Sequence, residues 1–225
     1  MVYLPKSEIV PECLEEERAK KSGKYNCEGV LDALKKDFKN KCYICEDKEP
    51  HTINIEHFRP HKEDKELKFD WNNLFYCCGH CNNTKLAKPE YDNILNCTVK
   101  SDEVETKMKY WIHPFPHELV QITELEDSIK VKNTAKLLDE VYNGTTILKL
   151  IESSNIRKKL LSEIRKFQDL LFKYKDDAYS EEDKEWFKQA TIRELKFTSN
   201  FTAFKRWIIR QNHLLSEDFI EYIDE

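Results

Sequence analysis

The sequence predicts an α+β fold, mostly helical, with a compact cysteine-bearing module between two helical regions. Three observations carry that prediction. Two CxxC pairs, Cys42/Cys45 and Cys78/Cys81, flank a gap of 32 residues. Within the gap, TINIEHF alternates apolar and polar side chains, the period of a half-buried strand. Far downstream, Ile156, Leu160, Ile164, Phe167, Leu171 and Tyr174 recur at three- and four-residue steps, which lines one face of a helix. With only 4 Gly and 7 Pro in 225 residues, a collagen-like or low-complexity chain is excluded.

Taken in order, residues 1–41 read as a helical layer. Glu12 to Lys21 is rich in helix formers, and Val30, Leu31, Leu34 and Phe38 fall at helical spacing. Gly23 and its polar neighbours break the two helices. Residues 42–100 form the cysteine module, with a short strand at 52–57 and a helix starting near Cys81 and running through Lys85 towards Lys88. Residues 101–225 begin with short strands in MKYWIH, ELVQITEL and DSIKVKN, the last two pairing as a hairpin around Glu126 and Asp127. From about residue 133 the chain is helical, and Trp186, Phe204, Trp207, Ile208, Phe219 and Tyr222 are expected to pack in its core. His113 and His117 are read as structural.

No apolar run is long enough to cross a bilayer, and MVYLPKSEIV carries no apolar stretch of the secretory kind, so eight cysteines in a reducing compartment are expected to stay thiols. The net charge is −5, and the cysteine module holds ten acidic against eight basic side chains. Bulk charge therefore does not make this chain a nucleic-acid clamp; a few well-placed cations would have to do so.

Two CxxC knuckles supply four sulfurs for a tetrahedral zinc ion at Cys42, Cys45, Cys78 and Cys81. A 32-residue gap exceeds that of ordinary fingers, so the ion staples two ends of something larger. Cys77 belongs to the core, since only Cys78 completes the spacing. His80 is expected to be exposed, and Cys13, Cys27 and Cys97 to be structural.

Between the knuckles stand Glu56, His57, Phe58, Arg59 and Pro60, then Asn73 and Leu74; Cys81 is followed by Asn82, Asn83, Thr84 and Lys85. The order CxxC, carboxylate–His with Pro following, Asn-Leu, CxxC-Asn-x-x-Lys resembles the HNH endonuclease motif. The resemblance covers about a fifth of the chain. It implies a zinc-stapled ββα-metal module that cleaves phosphodiesters with one divalent cation. Residue by residue, His57 matches the general base, Asn73 the middle Asn and Asn82 the final ligand position, an H-N-N variant. Glu56 falls where the family carries Asp or another metal ligand.

Hydrolysis needs an activated water and relief of phosphate charge. A neutral imidazole at His57 takes the proton. Asn73 is expected to hold the other ring nitrogen. Glu56 and Asn82 offer oxygen donors to magnesium or manganese. Arg59 and Lys85, with His61 and Lys62 behind them, are the expected phosphate contacts.

IEHFRP, WNNLFYCC and CNNTK, with the helical tail, look closest to the PtuB-type HNH branch of Septu and retron antiphage systems. That resemblance implies a cytoplasmic bacterial defence nuclease, probing DNA more readily than RNA, with an ABC/SMC-like (PtuA-type) ATPase partner and no membrane association. Two other readings stand beside it: a zinc-binding interaction module without catalysis, and a stand-alone restriction or toxin nuclease.

Overall fold

Helix α1 (Glu12–Ala19) and helix α2 (Val30–Asp37) form the N-terminal layer. α2 buries Val30 and Leu34 and is followed by buried Phe38, whose ring meets Phe75 at 5.3 Å, so the layer packs onto the cysteine module. The computed structural model describes residues 1–225 except 87, 117, 224 and 225, so His117 lies outside the described residues. Between the helices the chain turns tightly at Gly23. A Cβ there would lie 1.8 Å from the Glu17 carbonyl oxygen, so only glycine fits this close approach. The turn brings Cys13 and Cys27 together as a disulfide, with Cα atoms 6.1 Å apart. This corrects the expectation of eight thiols: two cysteines without any motif spacing are joined by the fold of the turn, and the other six are free.

The module is built on two antiparallel strands, β1 (Ile53–His57) and β2 (Leu74–Cys78), in a register that sets Ile53 opposite Cys78 and His57 opposite Leu74. Helix α3 (Lys65–Phe69) lies in the connection, capped by Asp64, whose carboxylate accepts from the Glu66 and Leu67 amides. Helix α4 (Gly79–Lys85) leaves directly from β2 and packs back on both strands. All of β2 is buried, which is why its sequence shows no alternation of polarity.

The second hairpin differs from expectation. β3 (Met108–His113) pairs with β4 (Leu119–Glu124), while DSIKVKN opens helix α5 (Ile129–Asn143). Ser128 caps that helix by accepting from the Val131 amide, and Val131, Thr134, Ala135 and Leu138 bury at helical spacing. The cap and the 3.6-residue period outweigh the β-branched residues that suggest a strand. α6 (Ile147–Lys175) follows, burying the predicted face from Ile156 to Leu171. α7 (Glu181–Leu195), α8 (Thr202–Arg210) and α9 (His213–Phe219) complete the chain. Trp186 is 59% exposed, against the expectation that it joins the core.

One apolar core runs from Met1 through the cysteine module to Phe204, crossing the three regions marked out in the sequence. A smaller cluster around Phe167, Leu195 and Phe219 seals the C-terminal helices. Lys41, fully buried, donates to the Phe197 carbonyl (2.9 Å) and the Thr202 hydroxyl (3.1 Å) and pairs with Glu46 (3.3 Å). These contacts anchor the first knuckle to the start of α8. Among the described residues, no helix is long and apolar enough to cross a membrane.

Candidate functional site

Cys42 and Cys45 sit on a tight turn in which the Glu46 amide donates to the Cys42 carbonyl, with Glu46 itself in the left-handed region at φ 59°. Cys78 ends β2 and Cys81 lies in the first turn of α4; the Cys78 sulfur accepts from the Cys81 amide at 3.4 Å and so caps the helix. The four sulfurs are buried and lie within 4.8 Å of one another. Cys45 Sγ and Cys78 Sγ are 3.9 Å apart. A tetrahedron with Zn–S bonds of about 2.3 Å has edges of about 3.8 Å, so the cluster has the size to hold a structural metal ion such as zinc. Burial pushes the Cys81 thiol well up, and the hydrogen bond with Cys42 does the same for Cys45. A cation among the sulfurs would offset the repulsion between thiolates packed this closely. Cys77 comes 3.9 Å from Cys42 but lies outside the four-sulfur group, because alternation along β2 turns it away from the face that carries Cys78.

His80, inside the second knuckle, is not exposed as expected. Its ring bonds Glu152 through Nδ1 (2.7 Å) and the Val141 carbonyl through Nε2 (2.8 Å). Tyr142 donates to the Cys45 carbonyl at 2.7 Å. The two knuckles are thereby tied to α5 and α6. His113 bonds Gln121 across its hairpin at 2.9 Å, as a structural histidine does.

A cleft of about 530 Å³ opens beside β1 and α4, lined by Glu56, His57, His61, Lys62, Asn82 and Lys85 among others. His57 ends β1. Its Nε2 lies 3.0 Å from the Lys68 carbonyl, which can only accept, so that nitrogen carries the proton and Nδ1 keeps its lone pair when the ring is neutral. Burial pulls the His57 imidazole below its ordinary value, with the neighbouring His61, Lys68 and Lys85 adding to the fall and the Lys68 carbonyl opposing it.

Two expected roles are corrected by this geometry. Asn73 does not hold the ring of His57; Lys68 does. Asn73 is buried, accepts from the Arg59 amide (2.7 Å), and donates to the carbonyls of Arg59 (2.9 Å) and Leu67 (3.0 Å). It clips the chain leaving β1 to the end of α3, which fixes both ends of the His57–Lys68 contact. Lys85 is no surface cation for phosphate. It is 5% exposed, and its ammonium is held by Glu56 (2.7 Å) and the carbonyls of Phe58 (2.8 Å) and His57 (3.3 Å). The reason is position: the last turn of α4 points it into the strand rather than the cleft mouth.

Glu56 is also buried. One oxygen accepts from Lys85 and from the Tyr43 hydroxyl at 3.2 Å, while Oε2 has no hydrogen-bond partner. Burial raises its carboxyl, and Lys85 works against that rise. The Asn82 side chain, half-buried on the same cleft, makes no hydrogen bond among the described residues. Arg59 is exposed. His61 packs its ring 4.7 Å from that of His57, and Lys62 stands 3.7 Å from Asp92. Sequence reasoning missed Lys68, whose part is played by a backbone carbonyl, and Tyr43, which carries no motif signal. Compared with known proteins, the chain matches no family model and no curated protein.

The metal content should be one zinc per chain by elemental analysis. Cys45→Ser should lose that zinc and most of the cooperative melting transition, whereas Cys77→Ala should keep the zinc.

Proposed function

We propose that the protein is a metal-dependent endonuclease of the HNH type, hydrolysing phosphodiester bonds, most readily in DNA. The single observation that carries this reading is His57: an imidazole fixed by one donated hydrogen bond, with a free Nδ1, on the wall of an open cleft. That is the state a general base requires near neutral pH. Burial keeps the ring neutral, and the Lys68 carbonyl selects the tautomer.

The residues present suit a hard divalent cation. A buried carboxylate oxygen without a partner, Glu56 Oε2, and the unengaged Asn82 amide line one cleft, and oxygen donors favour magnesium or manganese. Bound there, such an ion supplies charge stabilisation to the phosphate and the leaving oxygen. The chain's own residues do the rest. His57 Nδ1 takes the proton of the attacking water. Lys85 holds one oxygen of Glu56 and leaves the other unpaired. Exposed Arg59, with His61 and Lys62 at the cleft, meets the phosphates that flank the scissile bond.

The net charge of −5 supports a shared task, in which an ABC/SMC-like ATPase subunit provides much of the grip on nucleic acid and the whole serves antiphage defence in the cytoplasm. The competing reading, a zinc-organised interaction module, makes His57 dispensable.

Three outcomes follow from the proposal. Incubated with phage DNA, plasmid and total RNA plus magnesium or manganese, wild type should nick or cut DNA, and His57→Ala should lose activity by at least about a hundredfold while keeping its zinc and its fold; equal cleavage by both would end the catalytic reading. Protonation of His57 removes the base, and its depressed pKa moves that loss to lower pH. The rate should therefore reach half its plateau below the ordinary value of 6.5 and, further down, fall by roughly tenfold per pH unit. A rate already falling between about pH 8 and 7 would contradict this assignment. Co-expressed with the ATPase subunit, the protein should co-elute with it in size-exclusion chromatography, and separate peaks at low salt would count against the partnership.

A further inference from the structure

Tyr25 lies outside every motif in the sequence, yet its ring meets that of His57 edge-on, with centroids 4.5 Å apart and planes at 72°, and it lines the same cleft. The His61 ring also meets that of His57, at 4.7 Å and 62°. One hydrogen bond, from Nε2 to the Lys68 carbonyl, fixes a point on the imidazole but leaves it free to swing about that bond. Contact with two neighbouring rings restrains the swing.

The loop that carries Tyr25 is fastened at four points. The Cys13–Cys27 disulfide closes it. The Lys24 amide donates to Glu17 at 2.8 Å. Gly23 packs so closely on the Glu17 carbonyl that no larger residue fits. Finally, the Lys68 ammonium donates to the Gly23 carbonyl at 2.9 Å. Lys68 thus holds the Tyr25 loop with its side chain and the His57 ring with its backbone, keying one to the other.

We infer that Tyr25, held by the disulfide-closed loop of residues 13–27, is a positioning residue that sets the plane of the His57 imidazole and so aims Nδ1 into the cleft. The inference rests on the reading of His57 as the base. It does not make Tyr25 a contact of substrate: what the cleft loses without Tyr25 is the orientation of a neighbour. An error in aim of about 1 Å costs on the order of a hundredfold in rate and little in binding.

The test compares Tyr25→Phe, Tyr25→Ala and Cys13→Ser/Cys27→Ser with wild type, each checked for zinc content. The ring suffices for positioning, so Tyr25→Phe should keep kcat within about twofold of wild type, whereas Tyr25→Ala should lower kcat by about ten- to a hundredfold with KM within about threefold. The double serine variant should fall between them. Unchanged kcat in Tyr25→Ala, or a loss carried by KM, overturns the inference while leaving the nuclease reading intact. A second readout needs no cleavage: the His57 ring-proton resonances, assigned with His57→Ala, should show the shielding of a neighbouring ring in wild type and in Tyr25→Phe and lose it in Tyr25→Ala. Resonances that do not move between wild type and Tyr25→Ala overturn the positioning claim whatever the activity, and absence of cleavage by wild type alone falls on the parent reading.

Discussion

Four buried sulfurs within 4.8 Å of one another join residues 42–45 to residues 78–81 across 32 intervening residues. The join decides where β2 ends and where α4 begins, since the Cys78 sulfur caps the helix it precedes. Once α4 is fixed against β1 and β2, Asn82 and Lys85 are delivered to the side of β1 that carries Glu56. A metal ion held by the cluster would add folding free energy to contacts the two segments already make, such as the Tyr43 amide donating to the Tyr76 carbonyl at 3.1 Å.

The polar interior then works by backbone carbonyls more than by paired side chains. Lys85 satisfies two carbonyls at the end of β1, Asn73 clips the Arg59 backbone, and the Lys68 carbonyl holds His57. Each of these anchors lies within the loop between the strands or on α4, so the backbone around His57 is held by a short, closed circuit. Burying Lys85 and Glu56 together has a cost in lost hydration, and the direct 2.7 Å pair with its further hydrogen bonds offsets it. Among the described residues of this circuit, Glu56 Oε2 is the buried side-chain oxygen that makes no hydrogen bond.

The helical region is a support. His80 and Glu152, Tyr142 and the Cys45 carbonyl, and Lys41 with the turn before α8 lock both knuckles to α5, α6 and α8. A zinc finger of this size standing alone would rely on its metal for nearly all its stability; here one apolar core continues from the module into the helices.

The CxxC pairs, the alternation in β1 and the 3.6-residue face of α6 were legible in the sequence because each is a local pattern, set by ligand spacing or by the period of one element. The same patterns brought Glu56, His57, Asn73 and Asn82 to one region. Local pattern failed where a contact depends on distant residues or on backbone. DSIKVKN has the composition of a strand, and only the Ser128 cap and the buried face of α5 made it a helix. Asn73 and Lys85 carry the expected names in the expected order, yet their partners are carbonyls that no side-chain motif encodes. Cys13 and Cys27 share no motif spacing, and Tyr25 stands 32 positions before the histidine it touches, so both pairings arise from the way the N-terminal turn folds over β1. Sequence determined which groups are present and which elements carry them; tertiary packing decided which nitrogen, oxygen or ring each one faces, because that depends on distances between segments that the chain order does not contain.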